Sequence, residues 1–295
     1  MRCDLHVHTV HSGASTVPVV GRFCRESYNP PQALYAKLKR LGLDLVTVTD
    51  HDSIDAAEEL RHHPDFFLSE EVTCRAPSGN ELHVGVYDIR ETQHVEIQRR
   101  RDDLPRLAAY LEEQRVFFSV NHVFSALTGR RAADDFDWFE ACFPAVEVLN
   151  GHLLAHNNHL AARLASRNRR ITVGGSDAHA LRSAGSAWTE VRGARDKAEF
   201  LAGLREGRTR AHGEAGSYWK LTLDVLAISR ELFREKPLTL LLAPLLVAIP
   251  PITLFNYLLE RRFARKWGEA WARMRGLDGG AAVRRIPAAT GEATA

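Results

Sequence analysis

The stretch Asp4-Leu5-His6-Val7-His8-Thr9 decides the interpretation of the fold, because here a short apolar, strand-like run ends in two histidines. Similar runs recur along the chain, and most are separated by stretches with apolar residues at helical three-and-four spacing. Such alternation predicts right-handed crossovers and a parallel sheet, and about seven units favour closure into a barrel. The predicted strands cover 3–7, 43–49, 66–72, 82–87, 116–120, 145–149 and 171–174. The predicted helices cover 32–41, 54–61, 95–114, 155–166, 196–206 and 217–235.

The amino-acid composition limits the classes of protein to which this chain can belong. The chain has 295 residues and a formal net charge of +2, which gives no global signal for a nucleic-acid-coating surface. Its four cysteines form no Cys-x-x-Cys pair, so a thiolate zinc site is not expected and a reducing compartment is. Met1 leads directly into polar sequence without an apolar signal region. We therefore expect a cytoplasmic protein.

Histidines and carboxylates cluster at the predicted strand ends. In a parallel barrel all carboxyl ends of strands open onto one face, so these scattered residues are expected to converge. The candidate metal ligands are His6, His8, His51, Glu71, His83, His122, Asp177 and His179. Residues at i and i+2 of an extended segment point the same way, so His6 with His8, and Asp177 with His179, can each chelate one ion.

The residue types indicate the chemistry. Imidazole and carboxylate ligands without thiolates suit Zn, Mn or Fe, and two or three such ions activate water for phosphate ester hydrolysis. A side-chain nucleophile is not required. Gly-x-Ser-x-Gly is absent, and Ser176 is better interpreted as part of a metal-binding loop.

The order of the motifs resembles that of the PHP (polymerase and histidinol phosphatase) family. The motifs are Asp4 to Thr9, Thr49-Asp50-His51-Asp52, Glu71, His83, Asn121-His122 and Ser176-Asp177-Ala178-His179. The resemblance covers residues 1–215 and implies a distorted TIM-like (β/α)7 barrel with two or three divalent metal ions. It also implies hydrolysis of phosphoric ester bonds.

The resemblance also implies a role for each ligand. One ion would be held by His6, His8, Glu71 and Asp177. Glu71 would also bind a second ion, together with His83 and His122, and so bridge the two. A third ion would be held by His51, His179 and one further ligand. Relatives often place an acidic residue or histidine a few positions after the His-x-His pair, where this chain has Gly13. His11 is the nearest substitute, so occupancy of the third site is open.

Substrate contacts are expected from polar residues on predicted loops near the same face. The candidates are Arg22, Arg131, Asn150 and Arg182, because arginine and amide groups suit phosphate recognition. Glu147 and Asn150 end the sixth predicted strand and could instead support the metal ligands. His152, His156 and His159 stand at helical spacing and could form a second metal patch, but a solvated helix face explains them equally well.

After the predicted barrel, the sequence pattern changes from alternating strands and helices to helical and apolar stretches. Residues 216–275 are predicted to form a helical, partly apolar extension, and residues 276–295 a disordered tail. The charge-free segment 237–259 is long enough to span a bilayer, but basic clusters flank it on both sides. Pro250-Pro251 favours an interfacial hairpin, so the segment predicts a membrane surface contact or, alternatively, packing or self-association.

The sequence therefore predicts a PHP-type phosphoesterase for a small phosphorylated metabolite, a nucleotide or an oligonucleotide. Two alternatives remain. One is a catalytically silent metal-binding module serving as a regulator or scaffold, supported by Gly13. The other is a metal-dependent amidohydrolase, since related barrels use similar ligands.

Overall fold

The computed structural model describes residues 1–14 and 24–277 of the chain. Candidate Arg22 and nearly all of the predicted tail lie outside the described residues. The strands are β1 (Arg2–Cys3), β2 (Ser69–Arg75), β3 (Glu81–Tyr87), β4 (Phe117–Val120), β5 (Ala145–Asn150), β6 (Ile171–Gly175), β7 (Ala187–Val191) and β8 (Thr209–Gly213). The helices are α1 (Pro31–Arg40), α2 (Ala57–Leu60), α3 (Glu91–Gln98), α4 (Leu104–Glu113), α5 (Asp135–Cys142), α6 (Ala155–Arg167), α7 (Lys197–Arg205), α8 (Tyr218–Glu235) and α9 (Ile249–Met274).

The fold is mixed α/β, with two sheets rather than one parallel sheet. One sheet has the order β2-β3-β4-β5-β6 and the other the order β1-β7-β8. Only the β4-β5 and β5-β6 pairs are parallel, and the other pairs are antiparallel. The regular strands alone leave the five-stranded sheet open between β6 and β2, and the antiparallel β2-β3 and β3-β4 pairs correct the expectation of a wholly parallel sheet.

The reversal of β3 has a local cause. The turn between β2 and β3 is closed by hydrogen bonds between Ala76 and Asn80 and from Gly79 N–H to Ala76 O. A link this short joins antiparallel strands, because a parallel crossover needs a dozen or more residues. His83 therefore lies early in a reversed strand, paired with Thr73.

Two extended segments link the two edges of the five-stranded sheet, from β6 back to β2. Residues 5–8 lie beside the end of β6, where Asp177 N–H donates to His6 O at 2.6 Å and Val7 bridges Ala178. Residues 45–51 follow, with Thr49 N–H donating to Val7 O at 2.9 Å and His51 bridging Glu71 in β2. The predicted first and second strands are thus extended chain with single bridges, and they bring the ligand motifs side by side.

A glycine allows this close approach. A Cβ on Gly175 would lie 2.3 Å from the His6 backbone nitrogen, so only glycine fits at the end of β6. Asp4 strengthens the junction, since its carboxylate accepts hydrogen bonds from the Ser176 N–H and hydroxyl and from Gly185 N–H. The first segment and the loop that carries Asp177 are therefore held together directly beneath the ligands.

Some predicted elements differ from the structure. The helix expected over 95–114 is two helices, because Asp103 caps a new helix by accepting from Arg106 N–H at 3.1 Å and proline occupies its first turn. The antiparallel β7-β8 pair and α5 have no counterpart in the sequence prediction. All four cysteines are free.

The C-terminal elements begin and end on the main body. α8 is capped by Ser217, whose side chain accepts from Lys220 N–H. Residues Pro237–Ala248 form a 3-10 helix with no buried residue, and Pro250 and Pro251 stand in the first turn of α9. The second half of α9 joins the large hydrophobic core, where Trp271 is 1% exposed and packs edge-on against Phe124.

Candidate metal centre

The first ligand group brings together residues from opposite ends of the chain. His6 Nε2 lies 3.1 Å from Glu71 Oε2 and 3.5 Å from Asp177 Oδ1. His8 Nε2 lies 3.5 Å and 3.3 Å from the same two oxygens. All four side chains are buried. These are the residues predicted to hold the first ion.

Glu71 stands between two sets of histidines. Its Oε2 faces His6, His8 and, at 3.5 Å, His51 Nδ1. Its Oε1 lies 3.2 Å from His122 Nε2 and 3.5 Å from His83 Nδ1. A carboxylate whose two oxygens face different imidazoles has the geometry of a bridging ligand, as expected from the sequence.

A third group forms around a residue that the sequence analysis missed. His8, His51 and His179 place ring nitrogens within 4.8 Å of one another. Glu26 lies beside this group, with Oε2 lying 3.4 Å from His51 Nε2 and Oε1 lying 3.7 Å from His179 Nε2. Glu26 therefore places a carboxylate next to two of the three histidines, whereas His11 faces Glu59.

His11 does not take the role suggested for it. Its Nε2 lies 3.5 Å from Glu59 Oε1, and it belongs to none of the ligand groups found among the described residues. The other eight predicted ligands all appear in those groups.

Two observations indicate that these side chains can hold divalent cations. Two ligands bonded to one ion at about 2.1 Å lie roughly 3.0–3.4 Å apart, close to the nitrogen-to-oxygen distances of 3.1–3.5 Å around Glu71. In addition, His8 Nε2 and His83 Nδ1 are buried and have no hydrogen-bond partner. Buried polar atoms are nearly always paired, so these nitrogens point to a ligand between the side chains.

Burial and the neighbouring charges shift the pKa values of the residues in these groups. Burial alone would raise the pKa of Glu71, but His6, His83 and His51 hold it well below its usual value. Burial would likewise raise the pKa of Glu26, which His179 and His51 lower to about 2. By contrast, burial and the neighbouring His179 lower the pKa of His8 to about 3, which keeps this ring in the neutral form that binds metals.

A second layer of side chains orients the ligands. Glu147 Oε1 lies 2.7 Å from His6 Nδ1, and Glu147 Oε2 accepts from His122 N–H at 3.0 Å. Asn150 donates to Glu147 at 3.0 Å and to Asp177 Oδ2 at 2.9 Å. Asn121 donates to Glu71 Oε1 at 2.8 Å. Carboxylate and amide partners of this kind fix the orientation of metal-binding imidazoles and carboxylates.

The predicted substrate contacts have different positions. Asn150 is buried and holds Asp177, so it supports the ligands. Arg131 is also buried, and it donates to the backbone oxygens of Val123 and Glu81 and to Thr128 Oγ1. These contacts commit the Arg131 guanidinium to the protein interior.

Arg182 is half-exposed and donates to Asp224 Oδ1 of α8 at 2.9 Å. It lines a cleft together with His179, so it lies at the edge of the metal centre. Of the predicted contacts within the described residues, only Arg182 is placed beside an accessible ligand.

The sequence analysis also missed the position of His152. Its ring centroid lies 6.1 Å from that of His179, just outside the ligand groups, rather than on a solvated helix face. Neither His152 nor Glu26 ends a predicted strand, so the strand-end criterion could not find them.

Comparison with known proteins supports the resemblance. A family model described as PHP-associated matches residues 155–209. No curated protein matches the sequence. The solved structure of PsfC from Pseudomonas syringae is similar over 78% of this chain and 98% of its own, with 19% identity and a TM-score of 0.56. This likeness concerns the fold.

Two further solved structures are more distant. A provisionally assigned metal-dependent phosphoesterase from Bifidobacterium adolescentis has 15% identity and a TM-score of 0.42, covering 61% of this chain and 88% of its own. The lesion-specific endonuclease PfuEndoQ from Pyrococcus furiosus has 17% identity and a TM-score of 0.48, covering 72% of this chain and 58% of its own. Taken with the ordered ligand motifs, the family-model match over residues 155–209 supports the resemblance to the PHP family.

Proposed function

We propose that this protein is a metal-dependent phosphoesterase that uses water as its nucleophile. The observation that carries the proposal is Glu71, whose two oxygens face separate groups of buried histidines. Divalent ions bound there would lower the pKa of water towards neutrality and neutralise phosphoryl oxygens. Zn, Mn and Fe all suit this donor set.

The proposed reaction needs no covalent enzyme intermediate. The oxygen of water forms a bond to phosphorus while the bond from phosphorus to the ester oxygen breaks. The ester oxygen leaves as an alcohol after taking up a proton, and phosphate is the second product of a monoester. Glu147 and Asn150 would serve by holding His6 and Asp177 in place during this displacement.

Glu26 favours an enzyme over a catalytically silent module. The sequence argument for the silent module was the missing acidic ligand at Gly13, and Glu26 stands between His51 and His179. Metal-dependent amide hydrolysis would use similar ligands, so an amide substrate set belongs in the test.

The test is metal analysis of the purified protein combined with a phosphate-release screen. The screen covers sugar phosphates, nucleotides and short oligonucleotides, with amides as a separate arm. We expect bound metal and phosphate release that His6→Ala and Asp177→Ala both abolish. Bound metal without turnover of any ester would favour the silent module, and turnover of amides alone would favour an amidohydrolase.

A further inference from the structure

An apolar groove lies between α8, α9 and the metal-bearing end of the fold. Its volume is about 330 Å³, and its walls include Leu127, Leu153, Leu221, Val225 and Leu259. This size is typical of sites for small organic ligands, which are mostly apolar with a few polar groups. The groove is thus large enough for part of a substrate.

The groove adjoins the metal centre through one residue. His152 lines the groove, and its ring lies next to that of the ligand His179. The chain around His152 is fixed, because Lys220 Nζ donates to Gly151 O at 2.7 Å and to Ser186 Oγ at 2.6 Å. His152 therefore stands between the groove and the metal centre, so the group attached to a phosphate at that centre would lie beside His152 and next to the groove.

The outer wall of the groove is apolar and exposed. Leu127, Val225 and Leu259 are 52%, 41% and 43% exposed. The apolar surface continues along the 3-10 helix, where Leu238 and Leu241 are 85% and 84% exposed. Contiguous apolar surface of this kind marks a ligand groove or a membrane contact.

The chain on both sides of this apolar segment contacts the main body of the fold. Before it, Asp224 of α8 accepts from the Ser183 hydroxyl at 2.6 Å. After it, Glu260 accepts from Asn157 at 2.6 Å and from Ala126 N–H at 2.9 Å. The segment therefore enters and leaves on one side, which suits contact with a bilayer surface rather than a crossing.

Positive charge follows directly after the apolar segment. The exposed side of α9 carries a cluster of basic residues, namely Arg261, Arg262, Arg265 and Lys266. A basic cluster beside exposed leucines is complementary to the anionic headgroups and acyl chains of a bilayer. The same helices that wall the groove thus offer a surface that matches lipid.

We propose that the groove binds the hydrocarbon chain of a phosphate ester whose phosphate occupies the metal centre. This inference rests on the proposed phosphoesterase function and narrows its substrate class to esters with an apolar chain. Such an ester could reach the groove from a bilayer or as a single amphiphile in solution, and the chemistry of recognition is the same.

The experiment compares esters that differ only in chain length. Phosphate release is measured with ethyl phosphate, with dodecyl phosphate below its micelle concentration, and with phosphatidate in phosphatidylcholine vesicles. Binding of ethyl and dodecyl phosphonate is measured by calorimetry, which does not depend on turnover. Val225→Asn places a polar group in the groove wall, and Leu259→Asn does so on the opposite wall.

The matched control is Val95→Asn. Val95 is also a helical valine, 47% exposed, but it lies on α3 away from the groove. We expect kcat/KM to rise at least about tenfold from the ethyl to the dodecyl ester, since each buried methylene adds several-fold. Val225→Asn should remove most of this gain and leave ethyl phosphate turnover unchanged, and Val95→Asn should alter neither.

Equal kcat/KM for both soluble esters, or equal binding of both phosphonates, would overturn the inference while leaving the phosphoesterase function intact. Phosphate release from no ester would overturn the proposed function itself. A chain preference that both groove variants reduce supports the inference. The rates on dodecyl phosphate and on vesicles then identify the source of the substrate.

Discussion

The metal centre and the C-terminal apolar segment differ in the kind of group that each one buries or exposes. At the metal centre, polar groups such as Glu71, His6 and Asp177 are buried, and each is held by charges or hydrogen bonds. In the segment that contains Leu238 and Leu241, apolar groups are exposed and hardly packed. Both arrangements are costly without a partner. This contrast is the basis of both proposals, that the first region binds divalent cations and the second an apolar ligand or surface.

The largest expected effect is the loss of the bridging carboxylate. Glu71→Gln should remove bound metal and lower kcat by about a thousandfold or more, because metal ions contribute several kcal/mol to the transition state. Metal content and phosphate release are measured together. Glu70→Gln is the matched control, since Glu70 is the preceding residue on β2 but pairs with His94 and Gln98. Full metal content in Glu71→Gln would show that the two histidine groups do not share this ligand.

The next effect separates Glu26 from His11 as the third-site ligand. Glu26→Gln should lose metal from the His51 and His179 group and lower kcat by about a hundredfold, a smaller loss because the bridged pair remains. His11→Ala should retain full metal content, since His11 contacts Glu59. Metal equivalents per chain are measured for both variants. The reverse pattern would restore His11 as the ligand.

The metal centre was largely predictable because its signals are local. His6 with His8, and Asp177 with His179, are spaced for an extended chain, and single residues such as His122 follow apolar runs. Convergence then follows from strands that share an end. Glu26 could not be found this way, because its position depends on the contacts of Arg25 with Ala14 and of Glu26 N–H with Gly13 O rather than on any repeating pattern.

The fold was less predictable where a short connection sets the direction of the following strand. A strand over 82–87 was expected, but the reversal of β3 depends on the short turn from Ala76 to Asn80. The separation of α3 from α4 likewise depends on the Asp103 cap. The apolar segment was recognised from composition, whereas its return to the main body depends on the contacts of Glu260 and Trp271.

A third effect tests the layer of residues behind the ligands. Glu147→Gln weakens the partner of His6 Nδ1 and should lower metal affinity or activity by about 10–100-fold. Glu190→Gln is a matched control, because Glu190 pairs with His212 at 2.8 Å on β7 and β8, away from the metal centre. Metal titration is the decisive measurement, since a purely structural role would lower thermal stability and leave the affinity of the folded protein unchanged.

The smallest effect tests the apolar side of the comparison. Leu241→Glu should reduce binding to vesicles of anionic phospholipid by about tenfold, because burial of one leucine contributes about 1.5–3 kcal/mol. Leu41→Glu, at an exposed leucine that follows α1, should leave binding unchanged. Vesicle sedimentation measures the bound fraction, and light scattering measures the mass in solution. Unchanged vesicle binding in Leu241→Glu, combined with loss of a dimer, would assign the segment to self-association. In that case the exposed leucines would cover a second copy of this chain, and the groove would receive its substrate from solution.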